Sequence, residues 1–267
     1  MRDQGSGFSQ ASSLWHRVSQ GFLDALYPRV CRHCDELLPA QAPRRGLAAW
    51  ICPSCQDELT PIEPPYCSVC GEPFAGPATS VFRCSNCQGR RIAFDFACSG
   101  FKAEGPLREM IHSFKYGKDL SLRAALVDVL QHALTDPRLA DEDLLQWLLV
   151  PVPLHWTRQV KRGFNQSWEL CRLLSKSTHI PTAQILRRRV MTRTQTRLER
   201  HRRLANLRKA FSLRRSLPWF RLPDLRGRKI FLVDDVLTTG ATAHECAKIL
   251  KREGGAEKVV VITAARG

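Results

Sequence analysis

No run of uncharged apolar residues in this 267-residue chain approaches the roughly 18 that a membrane span needs. The longest apolar stretch, Leu144–Leu154, is short and holds Gln146 and two prolines. The N-terminus shows no apolar core followed by a small-residue cleavage site, so a secretory leader is not expected and the cytoplasm is the expected location. GxxxxGK[ST] occurs nowhere, which disfavours a Walker-type nucleotide site. Aromatics are sparse, at 8%. Rings for stacking on nucleobases come down to Trp156, Phe164, Trp219 and Phe220, and core packing is the simpler role for most of them. Acidic residues are also in short supply, 25 against 41 Lys and Arg, for a net charge of +16. What remains, 43% apolar and 25% charged, is globular composition in one large or two smaller domains.

The positive excess is local. Between Arg187 and Lys229 stand 16 basic residues and two acidic ones, Glu199 and Asp224, a net of +14. Such a block suits polyanions, either phosphorylated small molecules or nucleic acid; a solvated face is the bland alternative.

Cysteine is concentrated as strongly. Eight of 11 form four CxxC pairs: Cys31/Cys34, Cys52/Cys55, Cys67/Cys70 and Cys84/Cys87. Cys98, Cys171 and Cys246 are scattered and read as packed or free thiols. In a cytosolic chain clustered pairs point to metal before disulfides. Seventeen residues separate Cys34 from Cys52, and 13 separate Cys70 from Cys84. Two CxxC knuckles at about such spacing make one closed tetrathiolate zinc site. Two structural zinc ions are therefore expected, whether the knuckles pair sequentially or interleave. Four pairs are too many for one redox centre.

Texture divides the chain at about residue 90. Residues 1–28 are expected to form a disordered polar tail and an amphipathic helix with Leu14, Val18, Phe22 and Leu26 in one stripe, stopped near Pro28. Residues 29–90, rich in Cys, Pro and Gly, form the zinc-ribbon segment, unable to build a conventional core. In residues 91–267 strands alternate with helices. Strands are expected at Phe94–Phe101, Trp147–Leu154, Ile185–Met191, Ile230–Val233 and Val259–Ala264. Helices are expected near Leu107–Phe114, Leu120–Leu134, Gln166–Ser175 and Ala241–Arg252. The pattern predicts an α/β fold with a mainly parallel sheet and flanking helices.

The segment Ile230-Phe231-Leu232-Val233-Asp234-Asp235-Val236-Leu237-Thr238-Thr239-Gly240-Ala241-Thr242 carries the most chemistry. Four apolar residues make a buried strand, and two acids follow at its C-terminal end, where open α/β sheets bind ligands. Gly240 lets backbone approach a ligand. The hydroxyls of Thr238, Thr239 and Thr242 and the amides at the helix start, including Ala241, can hold a phosphate. Adjacent carboxylates suit a ribose diol or the waters of a bound Mg²⁺. A phosphate site beside a diol site describes a ribose 5-phosphate.

This segment resembles the phosphoribosyl diphosphate (PRPP) signature of type I phosphoribosyltransferases. Pro151-Val152-Pro153-Leu154, the run Arg158 to Gln166 with Lys161, Arg162, Gly163 and Phe164, and Arg193-Thr194-Gln195 with Arg203, Asn206 and Ala210-Phe211 narrow the likeness. With the N-terminal cysteines they resemble the ComF family of competence-associated proteins, over roughly Tyr27–Gly267. The resemblance implies a type I phosphoribosyltransferase-like domain behind a double zinc ribbon, and a link to natural transformation and DNA utilisation. By analogy, Arg158, Lys161 and Arg162 would hold diphosphate, and Arg193 and Arg203 would belong to a hood closing over it. PRPP with Mg²⁺ is the implied ligand, and single-stranded DNA and the competence machinery are the implied partners. Two readings follow. One is phosphoribosyl transfer to an acceptor. The other is a non-catalytic single-stranded-DNA-binding factor that keeps the PRPP pocket as a sensor or remnant. Asn165 and Gln166 suit the cap of the next helix; His155 and His201 suit structural or solvated roles better than proton carriage.

Overall fold

The computed structural model describes residues 26–74, 76, 82–190, 210–215 and 221–267. The expected tail and the helix over Leu14–Leu26 lie almost wholly outside the described residues.

A four-stranded parallel sheet forms the centre, in the order β1 (Phe96–Lys102), β6 (Lys258–Arg266), β5 (Lys229–Leu237), β2 (Leu148–Pro151). Its strands read as near-continuous apolar runs because both faces are covered. Every residue of β6 after Lys258 is buried. Helices α2 (Gly105–Tyr116), α3 (Arg123–His132) and α5 (Gln166–Thr178) cover one face, meeting Phe231, Val233, Val260 and Ile262. Trp147 stacks on Phe231 there, at 4.2 Å between ring centroids. Helix α6 (Ala241–Arg252) covers the other face through Cys246, Ala247 and Leu250. Each large side chain so buried contributes about 1.5–3 kcal/mol. The α/β class with a parallel sheet, flanking helices and an N-terminal cysteine-rich segment is as expected.

Four elements depart from the sequence reading. The strand expected over Trp147–Leu154 is only β2, Leu148–Pro151. The expected helix Leu120–Leu134 is split: Asp119 accepts from Ser121 N and opens a 3-10 turn at Leu120–Leu122, and α3 begins only at Arg123. The strand expected over Ile185–Met191 is only β3 (Leu186–Arg188). It pairs antiparallel with β4 (Phe211–Leu213), outside the main sheet. Strand β5 runs past Val233 to Leu237, because β6 is long enough to pair Asp234 with Thr263 and Leu237 with Arg266. The two acids therefore lie within the ladder, not after it.

The cysteine-rich segment contains one short helix, α1 (Pro53–Asp57). Its knuckles repeat each other: Cys31 N donates to Glu36 O and Cys67 N to Glu72 O, while Cys52 N donates to Cys31 Sγ and Cys84 N to Cys67 Sγ. The segment packs on the sheet. Cys31, Ile51, Cys52 and Cys55 join the cluster on the α3 face, and Cys67, Cys70, Cys84 and Cys87 join that on the α6 face. Arg138, between the rings of Tyr66 and Phe96, fastens the second knuckle pair by donating to Ser68 O and Ala97 O.

Candidate functional site

The cysteines form two groups, Cys31, Cys34, Cys52 and Cys55, and Cys67, Cys70, Cys84 and Cys87, with the sulfurs of each within 4.8 Å of one another. Cys34 and Cys52 Sγ stand 3.6 Å apart, and Cys70 and Cys84 Sγ 3.5 Å. Zn–S bonds of about 2.3 Å in a tetrahedron set sulfurs about 3.8 Å apart, so both sets fit the ion. Sequential pairing is the arrangement present. No disulfide joins any of the eleven cysteines.

At the C-terminal end of the sheet, β5 presents Asp234 and Asp235 to opposite sides of the strand. Asp235 is 3% exposed; its Oδ1 meets Lys115 Nζ at 2.8 Å, and its Oδ2 is buried without a hydrogen-bond partner among the described residues. Asp234 Oδ1 accepts from Ser167 Oγ at 2.9 Å and from Asp235 N at 3.0 Å. Burial, then the neighbouring Asp235 carboxylate, push Asp234 up to about 7, against the pull of Lys115. Among the described residues Lys115 pairs with Asp235 alone, and the carboxylate oxygens, one of them unsatisfied, suit a hard cation such as Mg²⁺.

The Thr/Gly turn follows. Gly240 has φ 71°, the left-handed region, and stands at the N-terminus of α6. There a Cβ is strained whatever the space, and it would also touch the Phe94 ring at 3.5 Å. Thr238 and Thr239 are exposed, Ala241 is buried and Thr242 is half-buried. The turn leaves the first amides of a twelve-residue helix available to an anion.

Beside the acids lies a cavity of about 420 Å³ lined by Lys115, Tyr116, Lys118, Arg158, Lys161 and Arg162. Helix α4 (Trp156–Arg162) supplies the last three, and His155 caps it by accepting from Thr157 N. Gly163, at φ 88°, ends it, and Asn165 caps α5 through Ser167 N and holds the loop to Val152 O. Arg162 lies over the Tyr116 ring and donates to Gln166 Oε1. The structure therefore brings Arg158, Lys161 and Arg162 together, with the cleft they line sharing Lys115 with Asp235. The sequence reading missed Lys115, Tyr116 and Lys118. Their only signal was a Lys-Tyr-Gly-Lys run closing an amphipathic helix. It also passed over Arg188 on β3, which burial and then the Arg158 guanidinium hold below the usual arginine range while Asp234 pulls the other way. His155 is buried in its capping role, Phe164 packs on Phe114 at 5.3 Å, and Trp156 is exposed. Arg193, Arg203, His201, Trp219 and Phe220 lie outside the described residues. Among the described residues no helix is long and apolar enough to cross a membrane.

A double zinc ribbon domain family model matches residues 22–89. Competence protein F of Haemophilus influenzae is 34% identical over 238 residues, 88% of this chain and 96% of that protein. The DNA utilization protein YhgH of Escherichia coli K12 is 33% identical over 214 residues, 79% of this chain and 88% of its own. Among solved structures, an allosteric regulatory enzyme of purine biosynthesis aligns with 54% of this chain and 26% of its own. The identity is 20% and the TM-score 0.31, a likeness too slight to carry an argument. Identity of this level over nearly the whole of both chains, with the paired cysteine clusters in front of the sheet, shows that the chain belongs to the ComF family of competence and DNA-utilisation proteins.

Proposed function

We propose that the chain binds PRPP with Mg²⁺ and transfers its phosphoribosyl group to an acceptor in the cytoplasm, in the service of DNA uptake or utilisation. The observation that carries this reading is the meeting of three parts at one sheet edge: an under-compensated acid pair, a Thr/Gly turn opening a helix, and a five-cation cleft. Thr238, Thr239, Gly240, Ala241 and Thr242 would hold the 5-phosphate through amides and hydroxyls. Asp234 and Asp235 would take the ribose hydroxyls or the waters of Mg²⁺. Arg158, Lys161, Arg162 and Lys118 would receive the diphosphate. As the anomeric carbon–oxygen bond breaks, that oxygen keeps the electron pair, and the cations stabilise the charge that develops on it. Mg²⁺, when bound, shares that neutralisation. The two zinc ions would be structural, each closed by four thiolates.

Release of diphosphate from PRPP, with candidate bases or DNA as acceptors, tests the transfer. Turnover is the expected result; binding without turnover under every acceptor favours a PRPP sensor. The +14 block between Arg187 and Lys229 supports single-stranded DNA as a second partner of the same chain. If PRPP displaces DNA stoichiometrically, the two surfaces overlap.

A further inference from the structure

One guanidinium spans the second cysteine cluster and the strand that leads into the Thr/Gly turn. Arg266, the last residue of β6, is 5% exposed. One edge of its planar fork faces the knuckles: Nε donates to Cys70 O at 3.2 Å, and Nη2 donates to Cys70 Sγ at 3.6 Å and pairs with Glu72. The other edge faces β5, where Nη1 donates to Leu237 O at 2.9 Å and to Gly267 O. Leu237 immediately precedes Thr238. Two further contacts join the same parts. Phe94, packed in the cluster with Cys67–Cys87, stands against Gly240, and Ala93 N donates to His244 Nδ1 in the first turns of α6 at 3.0 Å. The second knuckle pair thus reaches the turn at its entry, its glycine and the helix it opens.

We propose that Arg266 is a positioning residue coupling zinc in the second cluster to the phosphate-holding turn, so that loading of this ion sets the turn's affinity for the phosphoribosyl group. The inference rests on reading residues 238–242 as a phosphate site. A zinc ion with four thiolates carries a net charge of −2, and a buried guanidinium is stable beside it. When the ion leaves, nothing fixes Cys70 Sγ and the turn of backbone around it in place against Arg266. Arg266 then loses its fixed acceptors on one edge, and its hold on Leu237 O on the other edge weakens. Groups that hydrogen-bond to metal ligands orient them, and the dependence runs both ways. The first cluster is the internal control. It packs on the opposite face of the sheet, held to α3 by Leu47 N donating to Asp128 and to α2 by His33 pairing with Glu109.

The test compares the full chain with Cys55→Ser, Cys87→Ser, Arg266→Lys and the last two combined. It reads zinc per chain, hydrogen exchange at residues 238–242 and affinity for PRPP with Mg²⁺. Arg266→Lys keeps the charge but cannot span both edges. It is expected to retain both zinc ions, to speed exchange in the turn, and to weaken binding about tenfold, the worth of one charge-assisted hydrogen bond. Cys87→Ser should lose one zinc with the same two effects, and the combination should be no weaker than its weaker member. Cys55→Ser should lose the other zinc and leave exchange in the turn unchanged. Should Cys87→Ser fail to fold, graded chelation of the wild type, with alkylation of Cys67–Cys87 marking loss of the second ion, reads the same coupling. Wild-type exchange at 238–242 after loss of the second zinc overturns the proposal, as does equal quickening on loss of the first or an additive double variant. Wild type that does not bind PRPP instead overturns the ligand assignment, while the exchange result decides the coupling separately.

Discussion

Lys115→Met removes from Asp235 the one close cation among the described residues. That carboxylate is 3% exposed, meets Lys115 Nζ at 2.8 Å and has no partner for its second oxygen among the described residues. Breaking a buried pair from one side costs about 3–5 kcal/mol, most of it the charge left behind. The Lys115 side chain is 20% exposed, so some water reaches its end of the pair and the lower figure, about 3 kcal/mol, applies. Asp235→Asn should cost less, about 1 kcal/mol, because the freed ammonium can turn toward solvent. The double variant should then resemble Asp235→Asn alone, leaving a coupling of about 2–3 kcal/mol. Urea unfolding of zinc-loaded protein, followed by circular dichroism at pH 7.5, measures the four corners of the cycle. Lys115 also restrains Asp234, so Lys115→Met should move Asp234 protonation above about 7. Lys115→Met within about 0.5 kcal/mol of wild type, or strict additivity with Asp235→Asn, would refute the view that this pair is a buried charge contact.

Other perturbations test other parts. Because Asp234 holds its proton to about 7 when folded but releases it near 3.8 when unfolded, it should make stability fall as pH rises between those values and level off above; a pH series of melting temperatures in Asp234→Asn, lacking that fall, checks it. Glu142 is held down to about 2 by Lys229 and then Lys258, so its contribution should be present above about 4.5 and vanish as pH drops toward 2; Glu142→Gln should remove it, at about 1 kcal/mol for a partly exposed network, seen by denaturation. Gly240→Val should cost about 1–2 kcal/mol through its left-handed backbone and abolish PRPP binding in calorimetry. Cys52→Ser should release one zinc per chain in metal analysis and loosen the first knuckle pair. Changing Arg202, Arg203 and Arg208 to Gln should flatten a log–log salt slope of about −3 for single-stranded DNA, measured by anisotropy.

Most of the sheet was legible because its strands are apolar runs with few equals in the chain, and Ile230–Val233 and Val259–Ala264 appear within strands of nine residues each. The cysteine spacing gave two zinc sites but not which knuckles share an ion, which depends on how knuckles approach in space. The acid pair was legible as chemistry and misplaced by environment. Strand length depends on the partner strand, so the burial of Asp235 inside the β5–β6 ladder has no local signature. Lys115 and Arg266 escaped for the same reason, since their partners lie 120 and 196 residues away in sequence. A basic residue at a helix end or at the end of a strand is ordinary until the fold sets an anion beside it.

The central claim is that the acid pair and the Thr/Gly turn form one PRPP site. Calorimetric titration of zinc-loaded protein with PRPP, with and without Mg²⁺, for wild type and Asp235→Asn, tests it most directly. The account predicts saturable binding by the wild type that depends on Mg²⁺, and binding at least about tenfold weaker in Asp235→Asn at unchanged far-ultraviolet circular dichroism. No heat of binding in the wild type, or equal affinity in a folded Asp235→Asn, would contradict it.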